Sequence, residues 1–309
     1  MDNSDVFPFA PSLPHLVAID SDGCVFDTMA AKHLRCFLPA FVEVFGLAPV
    51  AGAATEVWAY VNLGSPTRGI NRFKALLRAL DLLAAHPEAK SRGFEVPRLP
   101  LLAEWVARAA ALSNPALERA RAERPSAEFD RVLAWSRLVN ENVEAAGDPL
   151  PPFVGARAAI EAMGGRADLF VLSQTPGKAL RREWDACGLA GRLRALVGQE
   201  AGPKSDCLST ASTGYAAGKV LMLGDAPGDR EAARASGACF FPIIPGREAE
   251  SWRLLLDDGF GRFLSGNFAG EFQGILDTEF SAAFPVLPPW NGEVSTRSDF
   301  DGAEPGLVA

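Results

Sequence analysis

The 309-residue chain lacks the features that would indicate cross-linking, cation-rich surfaces or membrane insertion. Its five cysteines are odd in number and show no Cys-x-x-Cys spacing, which argues against a disulfide framework or a zinc site and favours reduced cysteines in a cytoplasmic protein. The net charge of −8 argues against nucleic acid or an anionic membrane surface as the main partner. Without an apolar run of about 18 residues, a transmembrane helix is not expected. The acidic first residues, 1–5, do not resemble a secretory signal.

Two short acidic clusters stand out against this background. Residues 20–23 (Asp-Ser-Asp-Gly) follow the apolar run 16–19, and residues 224–229 (Gly-Asp-Ala-Pro-Gly-Asp) follow the apolar run 220–223. Both runs have the composition of buried parallel strands, whose carboxyl ends meet at one edge of an open α/β sheet. Four carboxylates converging there would repel each other unless a divalent cation lay among them. Mg²⁺ is the expected ion because it prefers oxygen ligands and shares them with phosphate, so the pattern indicates phosphoryl transfer.

The rest of the chain predicts a doubly wound α/β fold. Strand patterns alternate with helical ones after residue 153, which is typical of a parallel, Rossmann-like sheet. The predicted strands are 15–20, 168–172, 193–198, 219–224 and 238–244. We therefore expect a discontinuous α/β core formed by residues 12–27 and 149–284.

A long helical stretch separates the first two predicted strands. Residues 28–148 have helical periodicity and little strand signal, which predicts an all-helical cap domain inserted after the first strand. Within it, Ser65-Pro66 has the pattern of an N-cap followed by proline at the first helical position. Residues 147–153 are the clearest boundary, and residues 285–309 form a predicted peripheral or mobile tail.

Four motifs in this order resemble the haloacid dehalogenase superfamily of hydrolases, in the helical-cap subgroup that includes phosphoglycolate phosphatases and β-phosphoglucomutases. The first motif is residues 20–23 and the second is Ser173 at the end of a predicted strand. Lys204 resembles the third, and Gly224-Asp225 with Asp229 resembles the fourth. The resemblance covers the sheet well but the helical stretch only in its placement and helicity.

This resemblance implies a role for each motif residue. Asp20 would attack phosphorus and form an aspartyl-phosphate, while Asp22 would protonate the leaving oxygen and later activate water. Ser173 and the backbone N–H of Gln174 would bind phosphoryl oxygens. Lys204 would offset the developing negative charge.

The resemblance also implies a metal site. Mg²⁺ would bind Asp20, the backbone carbonyl of Asp22, and Asp225, with Asp229 in a supporting position. An alternative interpretation of Asp225 and Asp229 is that they cap the following helix, since aspartate is favoured at helix N-termini.

Substrate choice is expected to lie in the helical stretch, because the four motifs deal only with phosphate and metal. In a helix that began at Pro66, the side chains of Arg68, Asn71 and Arg72 would share one face. They could then bind the non-reacting end of a substrate. The alternative is a solvated basic face. Lys32 and His33 are further candidates for the cleft.

The leading functional hypothesis is a cytoplasmic, Mg²⁺-dependent phosphatase acting on a small phosphorylated metabolite. A phosphomutase would use the same residues, and a catalytically silent regulatory module remains a third alternative. A dehalogenase is disfavoured because carbon–halogen cleavage does not need the acid/base Asp22. The sequence leaves the substrate and the oligomeric state open.

Overall fold

The computed structural model describes residues 7–147 and 150–291, and within them a five-stranded, all-parallel sheet. The strands are β1 (Leu16–Ile19), β2 (Asp168–Leu172), β3 (Ala195–Val197), β4 (Val220–Gly224) and β5 (Cys239–Pro242). Their spatial order is β3-β2-β1-β4-β5. The winding direction reverses between β1 and β4, which is where open α/β sheets bind ligands, beyond the carboxyl ends of the strands. The predicted doubly wound parallel fold is confirmed.

Helices cover both faces of the sheet. They are α9 (Ala156–Met163), α10 (Gly177–Ala186), α11 (Lys204–Ala211), α12 (Pro227–Ser236), α13 (Glu248–Leu254), α14 (Phe260–Ser265) and α15 (Glu271–Ala282). Successive strand side chains point to opposite faces, so β1 divides its residues between two hydrophobic clusters. Val17 and Ile19 join one cluster, whereas Leu16 and Ala18 join the other. Burial on both faces explains why the strands are continuous apolar runs.

The stretch between β1 and β2 is helical, as predicted. It contains α1 (Thr28–Lys32), α2 (Leu38–Val44), α3 (Ala51–Asn62), α4 (Arg72–Ala85), α5 (Pro87–Ser91), α6 (Pro100–Arg108), α7 (Asn114–Glu123) and α8 (Ala127–Ala145). We call residues 28–147 the insertion. Its apolar side chains form a hydrophobic cluster separate from the two beside the sheet, with Trp58 and Trp135 fully buried in it. The domain limits at 28 and 148 stay predictions.

One helix start differs from the prediction. Ser65-Pro66 does not open a helix; the hydroxyl of Ser65 accepts a hydrogen bond from the Thr67 N–H inside a turn that continues to Gly69. Helix α4 instead begins at Arg72, after Asn71, whose side-chain oxygen accepts a hydrogen bond from the N–H of Phe73 at 3.0 Å. Two N-cap patterns occur six residues apart in the sequence, and the capping bond forms at the second.

The chain enters and leaves the insertion through adjacent segments. Phe26 pairs with Pro152 in an isolated antiparallel bridge, and the N–H of Phe153 donates to the carbonyl of Val25 at 2.8 Å. Because both connections lie beside the acidic residues that follow β1, the insertion emerges next to the carboxyl edge of the sheet. Asp148 and Pro149, inside the predicted 147–153 boundary, lie outside the described residues.

The described part of the predicted tail packs against the insertion. The hydroxyl of Tyr60 donates to the carbonyls of Pro285 and Val286 at 3.1 and 2.6 Å. The ring of Trp290 lies 5.5 Å from that of Tyr60 and 5.0 Å from that of His86. Residues 285–291 therefore link the end of the sheet region to the insertion, while 292–309 lie outside the described residues. None of the described helices is long and apolar enough to cross a membrane.

Candidate active site

The two acidic motifs meet because the strands that carry them are hydrogen-bonded neighbours. β1 and β4 pair in register, and the N–H of Asp20 donates to the carbonyl of Leu223 at 2.9 Å. Asp20 directly follows β1, and Asp225 directly follows β4. The predicted convergence of these two carboxylates at the carboxyl edge of the sheet is therefore present.

Three carboxylates form the centre of the site. Asp20, Asp225 and Asp229 each offer an oxygen, and these oxygens lie within 4.8 Å of one another. All three side chains are buried, with exposed fractions of 5%, 0% and 1%. The close approach needs glycine at 224, because a Cβ there would lie 2.4 Å from the Cβ of Asp229. Buried like charges at this separation repel strongly unless cations compensate them.

Lys204 is the first compensating cation. It is the first residue of α11, and its Nζ lies 2.8 Å from Oδ1 of Asp20 and 2.6 Å from Oδ1 of Asp229. Burial alone would lower the pKa of this amine, but the two carboxylates outweigh burial and raise the pKa. The lysine is therefore held in its charged form. It lies between the first and fourth motifs, and its catalytic role stays a prediction.

Asp229 also caps its own helix, as the alternative interpretation of this residue predicts, while its part in a metal site stays a prediction. Its Oδ2 accepts a hydrogen bond from the N–H of Ala226 at 3.0 Å, at the start of α12. Its Oδ1 meanwhile pairs with Lys204. The helix N-terminus thus orients the carboxylate that holds the lysine in place.

The electrostatics of the cluster favour an additional cation. Burial and the neighbouring Asp229 charge raise the pKa of Asp20 well above its ordinary value. Burial, followed by the charge of Asp229, raises the pKa of Asp225 to about 6 against the opposing effect of Arg68. Among the described residues, Oδ1 of Asp225 is buried and has no hydrogen-bond donor. An unpaired buried oxygen beside two further carboxylates fits an oxygen-preferring ion such as Mg²⁺.

The side chain of Asp22 lies apart from this cluster, which corrects the expectation that four carboxylates converge. Its oxygens accept hydrogen bonds from the hydroxyls of Thr28 and Thr175 at 2.5 and 2.6 Å, and from Nζ of Lys32 at 2.8 and 3.0 Å. Burial would raise the pKa of this carboxyl, but the charge of Lys32 and these donors outweigh it and lower the pKa. The expected metal contact through the backbone carbonyl of Asp22 stays a prediction.

Ser173 and Gln174 follow β2, next to β1. Ser173 is buried, its N–H donates to the carbonyl of Val197, and its hydroxyl accepts a hydrogen bond from the N–H of Thr175 at 3.2 Å. The side chain of Gln174 is exposed. Both residues therefore stand at the same edge of the sheet as Asp20, which is the position that the phosphate-binding role requires.

Thr175 is a site residue that the sequence reasoning missed. Thr175-Pro176 has the pattern of a helix N-cap followed by proline, but α10 begins at Gly177 and the threonine hydroxyl donates to Asp22 at 2.6 Å. Its place three residues beyond the end of a central strand was the available signal, since side chains there project over the sheet edge.

Lys32 and His33 have different surroundings although they are adjacent. Lys32 contacts Asp22 and also lies 3.3 Å from Glu183 in α10. His33 stacks on Phe37 at 4.7 Å between ring centroids, and burial lowers its pKa to about 3. Lys32 thus belongs to the site through Asp22, whereas His33 packs among the aromatic rings of the insertion.

The predicted basic helix face of Arg68, Asn71 and Arg72 does not exist. Because α4 begins at residue 72, Asn71 acts as the N-cap, and its side-chain amide donates to the carbonyl of Leu112 at 2.9 Å. Arg72 donates to the carbonyl and hydroxyl of Ser136 and to Oδ1 of Asn140 in α8. These contacts are internal to the insertion, so the two residues do not form an exposed basic face with Arg68, and their contact with a substrate stays a prediction.

Arg68 is the exception, and it enters the site directly. Its guanidinium lies 2.6 Å from Oδ2 of Asp225, and both side chains are buried. The sequence prediction directed this arginine toward the far end of a substrate. The structure instead places Arg68 on Asp225, a proposed metal ligand, because the turn through Gly69 brings the chain toward the sheet edge.

No protein-family model and no curated protein matches the chain. Similar solved structures include a protein provisionally described as a phosphoglycolate phosphatase from Lactobacillus delbrueckii, at 16% identity and a TM-score of 0.46, covering 74% of this chain and 86% of that one. A HAD-superfamily hydrolase of subfamily IA from Geobacter sulfurreducens is 16% identical, with a TM-score of 0.38 and coverages of 75% and 89%. A protein provisionally described as a β-phosphoglucomutase from Bacteroides vulgatus is 11% identical, with a TM-score of 0.42 and coverages of 84% and 91%. Because these TM-scores lie below 0.5, the similarities decide neither fold nor activity.

Proposed function

We propose that this chain is a Mg²⁺-dependent phosphatase of the haloacid dehalogenase type that hydrolyses a small phosphorylated metabolite. The observation that carries the proposal is the lysine bridge: Lys204 joins Asp20 and Asp229 in a buried cluster of three carboxylates at the switch point of the sheet. Such a cluster places an oxygen nucleophile beside a fixed cation, and its excess negative charge would be balanced by a divalent ion, which is what phosphoryl transfer needs. The unpaired cysteines fit a reducing, cytoplasmic location.

Asp20 supplies the nucleophile. A lone pair of its carboxylate attacks phosphorus while the bond from phosphorus to the ester oxygen breaks, which leaves an aspartyl-phosphate. The contact with Lys204 restrains Oδ1 of Asp20 and stabilises the negative charge near the transferred group. Since burial raises the pKa of Asp20, positive charge nearby is also needed to keep this carboxylate ionised.

Asp22 acts as acid and then as base. It gives a proton to the departing oxygen and later accepts one from the water that attacks the aspartyl-phosphate. Lys32, Thr28 and Thr175 favour its ionised form in the observed geometry. The second step can therefore use Asp22 as it stands, whereas the first requires the Lys32 contact to loosen so that Asp22 takes up a proton from water before it donates one.

Phosphate and metal are bound by separate groups. The hydroxyl of Ser173 and the backbone N–H of Gln174 hold phosphoryl oxygens at the end of β2. Asp20, Asp225, Asp229 and the backbone carbonyl of Asp22 would hold the ion. When bound, Mg²⁺ neutralises the carboxylates and the phosphoryl oxygens together.

A screen of phosphorylated metabolites, with released inorganic phosphate as the readout, tests this function. Phosphate release that requires both Mg²⁺ and Asp20 supports hydrolysis. An isomeric product without phosphate release would indicate the phosphomutase instead of the phosphatase. Saturable binding without turnover would indicate the regulatory module. Asp168→Asn is the matched control, because it alters a buried aspartate at the opposite end of the same sheet.

A further inference from the structure

The contact between Arg68 and Asp225 joins the insertion to the proposed metal site. Nη2 and Nε of Arg68 lie 2.6 and 2.7 Å from the same oxygen, Oδ2 of Asp225, and Nη1 donates to the carbonyl of Leu63 at 3.0 Å. The exposed fractions of the two side chains are 6% and 0%. Charge-assisted bonds of this geometry are among the stronger polar contacts in proteins when buried.

Two glycines make room for this contact. A Cβ at Gly23 would lie 2.4 Å from Oδ2 of Asp225 and 2.6 Å from Nη2 of Arg68. Gly69 has a φ of +77°, which lets the turn before α4 pass close to Ala226, next to Asp225 in the chain. The backbone on both sides is therefore shaped so that Arg68 reaches Asp225.

The charge balance of the cluster then has a consequence for metal binding. Asp20, Asp225 and Asp229 carry three negative charges when ionised, against which stand the positive charges of Lys204 and Arg68. A divalent ion bound by Asp225 would lie a few ångströms from the guanidinium, and their repulsion in a buried site is substantial.

We propose that Arg68 is a counter-cation, carried by the insertion, that opposes Mg²⁺ at Asp225, so that docking of Arg68 and binding of the metal disfavour each other. The proposal rests on the metal site of the proposed function and adds its coupling to the insertion. Such coupling is reciprocal. Arg68 weakens metal binding by some factor, and the bound metal weakens the docking of Arg68 by the same factor. In the metal-free protein Arg68 holds the turn at 63–71 against the sheet, and metal uptake loosens this turn.

Calorimetric titration with MgCl₂ alone tests the first half of the coupling. Arg68→Met removes the charge while keeping an unbranched side chain, and we expect it to bind Mg²⁺ at least about tenfold more tightly than the wild type. Arg68→Lys keeps the charge and should stay close to the wild type. Arg78→Met, which removes an exposed arginine of α4 in the same insertion, controls for net charge and should leave the affinity unchanged.

Hydrogen exchange of the wild type tests the second half and does not depend on the folding of any variant. Mg²⁺ should reduce the protection of backbone amides in residues 63–71 relative to the metal-free protein. In Arg68→Met, if it folds, the same addition should leave the protection of this turn unchanged.

The proposal is overturned if Arg68→Met binds Mg²⁺ as the wild type does or more weakly, or if Mg²⁺ leaves the protection of 63–71 in the wild type unchanged or higher. Tightening in Arg78→Met equal to that in Arg68→Met would also overturn it, because net charge alone would then explain the effect. Absence of Mg²⁺ binding in every protein, the wild type included, would instead contradict the metal requirement of the proposed function.

Discussion

Buried aspartates have opposite surroundings at the two ends of the sheet. At the amino end of β2, Asp168 accepts hydrogen bonds from the N–H and hydroxyl of Ser12 at 2.7 and 2.5 Å, from the N–H of Leu13 at 2.9 Å and from the hydroxyl of Tyr215 at 2.7 Å. Arg194 adds an ion pair at 3.5 Å. Burial would raise the pKa of this carboxyl, but the hydrogen bonds outweigh it and lower the pKa.

At the carboxyl end, three carboxylates share few donors. Lys204 serves both Asp20 and Asp229, and Arg68 serves one oxygen of Asp225. The pKa of Asp20 and that of Asp225 are raised, chiefly by burial. Burial alone therefore does not decide the charge state of these aspartates. The supply of donors decides it, because a buried carboxylate without enough donors has to obtain positive charge from a ligand or take up a proton.

The sharpest test of this contrast exchanges one aspartate at each end. Asp20→Asn should reduce turnover of p-nitrophenyl phosphate by at least roughly 10³-fold, because an amide is a poor nucleophile. In the absence of metal, the free energy of unfolding of Asp20→Asn should not fall, because the substitution removes one of three carboxylates that repel each other. Phosphate release and urea denaturation measure the two effects. Near-normal turnover of this variant, with Asp168→Asn as the control, would refute the covalent mechanism.

Mg²⁺ should stabilise the fold only through the aspartates at the carboxyl end of the sheet. Mg²⁺ at about 100 times its dissociation constant should raise the free energy of unfolding of the wild type by roughly 2.7 kcal/mol. Asp225→Asn should lose most of this stabilisation and Asp229→Asn less of it, whereas Asp168→Asn should keep it in full. Thermal melts with and without EDTA provide the measurement. Equal stabilisation of all four proteins would place the ion elsewhere.

Asp168→Asn should be a stability variant. Loss of the charged acceptor should lower the free energy of unfolding by about 1–3 kcal/mol at pH 7, while kcat and KM stay unchanged. Because the folded-state pKa of Asp168 is lowered, its stabilisation is present above the ordinary value of about 3.9 and is lost as the pH falls through the folded value. The gap between variant and wild type in urea denaturation should therefore close at acidic pH.

The opposite dependence of stability on pH is expected in the metal-free protein from the aspartates at the carboxyl end of the sheet. Burial raises the pKa of Asp225 to about 6, so the folded state takes up a proton there before the unfolded chain does. Asp225 and Asp20, whose pKa is also raised, should both make the metal-free protein more stable as the pH falls from 7 through about 6, and the gain should be smaller in Asp225→Asn than in the wild type. The same gain in both proteins would assign it to another group.

The smallest predicted effect comes from a single donor. Ser12→Ala removes the hydroxyl that binds Asp168 but leaves the other donors in place. We expect a loss of about 1 kcal/mol in the free energy of unfolding and no change in turnover. A loss as large as that of Asp168→Asn would show that the donors of Asp168 act as one unit, and urea denaturation of both variants decides this.

The strands and the motifs at their ends were predictable from sequence alone. Buried parallel strands have to be apolar on both faces, so the runs before Asp20 and Asp225 were visible as strands, and β2 was predicted with its observed bounds. Strand pairing then brings the two motifs to one edge. Lys204 was found only through its order among the motifs, since nothing in its neighbours marks it as the partner of two carboxylates.

Contacts made by the turns were not predictable from the sequence. Ser65-Pro66 and Asn71 are both acceptable helix starts, and the choice between them decides whether Arg68 lies on a helix or in a turn. Thr175 likewise fits a helix start as well as a partner for Asp22. Local preferences at such positions differ by about 1 kcal/mol, which tertiary contacts readily exceed.

Local sequence patterns were enough to predict the doubly wound sheet, the helical insertion after β1 and the strand-end places of Asp20, Asp22 and Asp225, because apolar periodicity and strand-end chemistry are local properties. Which charges meet depends on the tertiary structure. It separated Asp22 from the other three carboxylates, gave Asp168 its full set of donors and brought Arg68 onto Asp225. Those pairings depend on the paths of turns far apart in sequence, and the energy of a buried charge is set by the neighbours that the whole fold supplies.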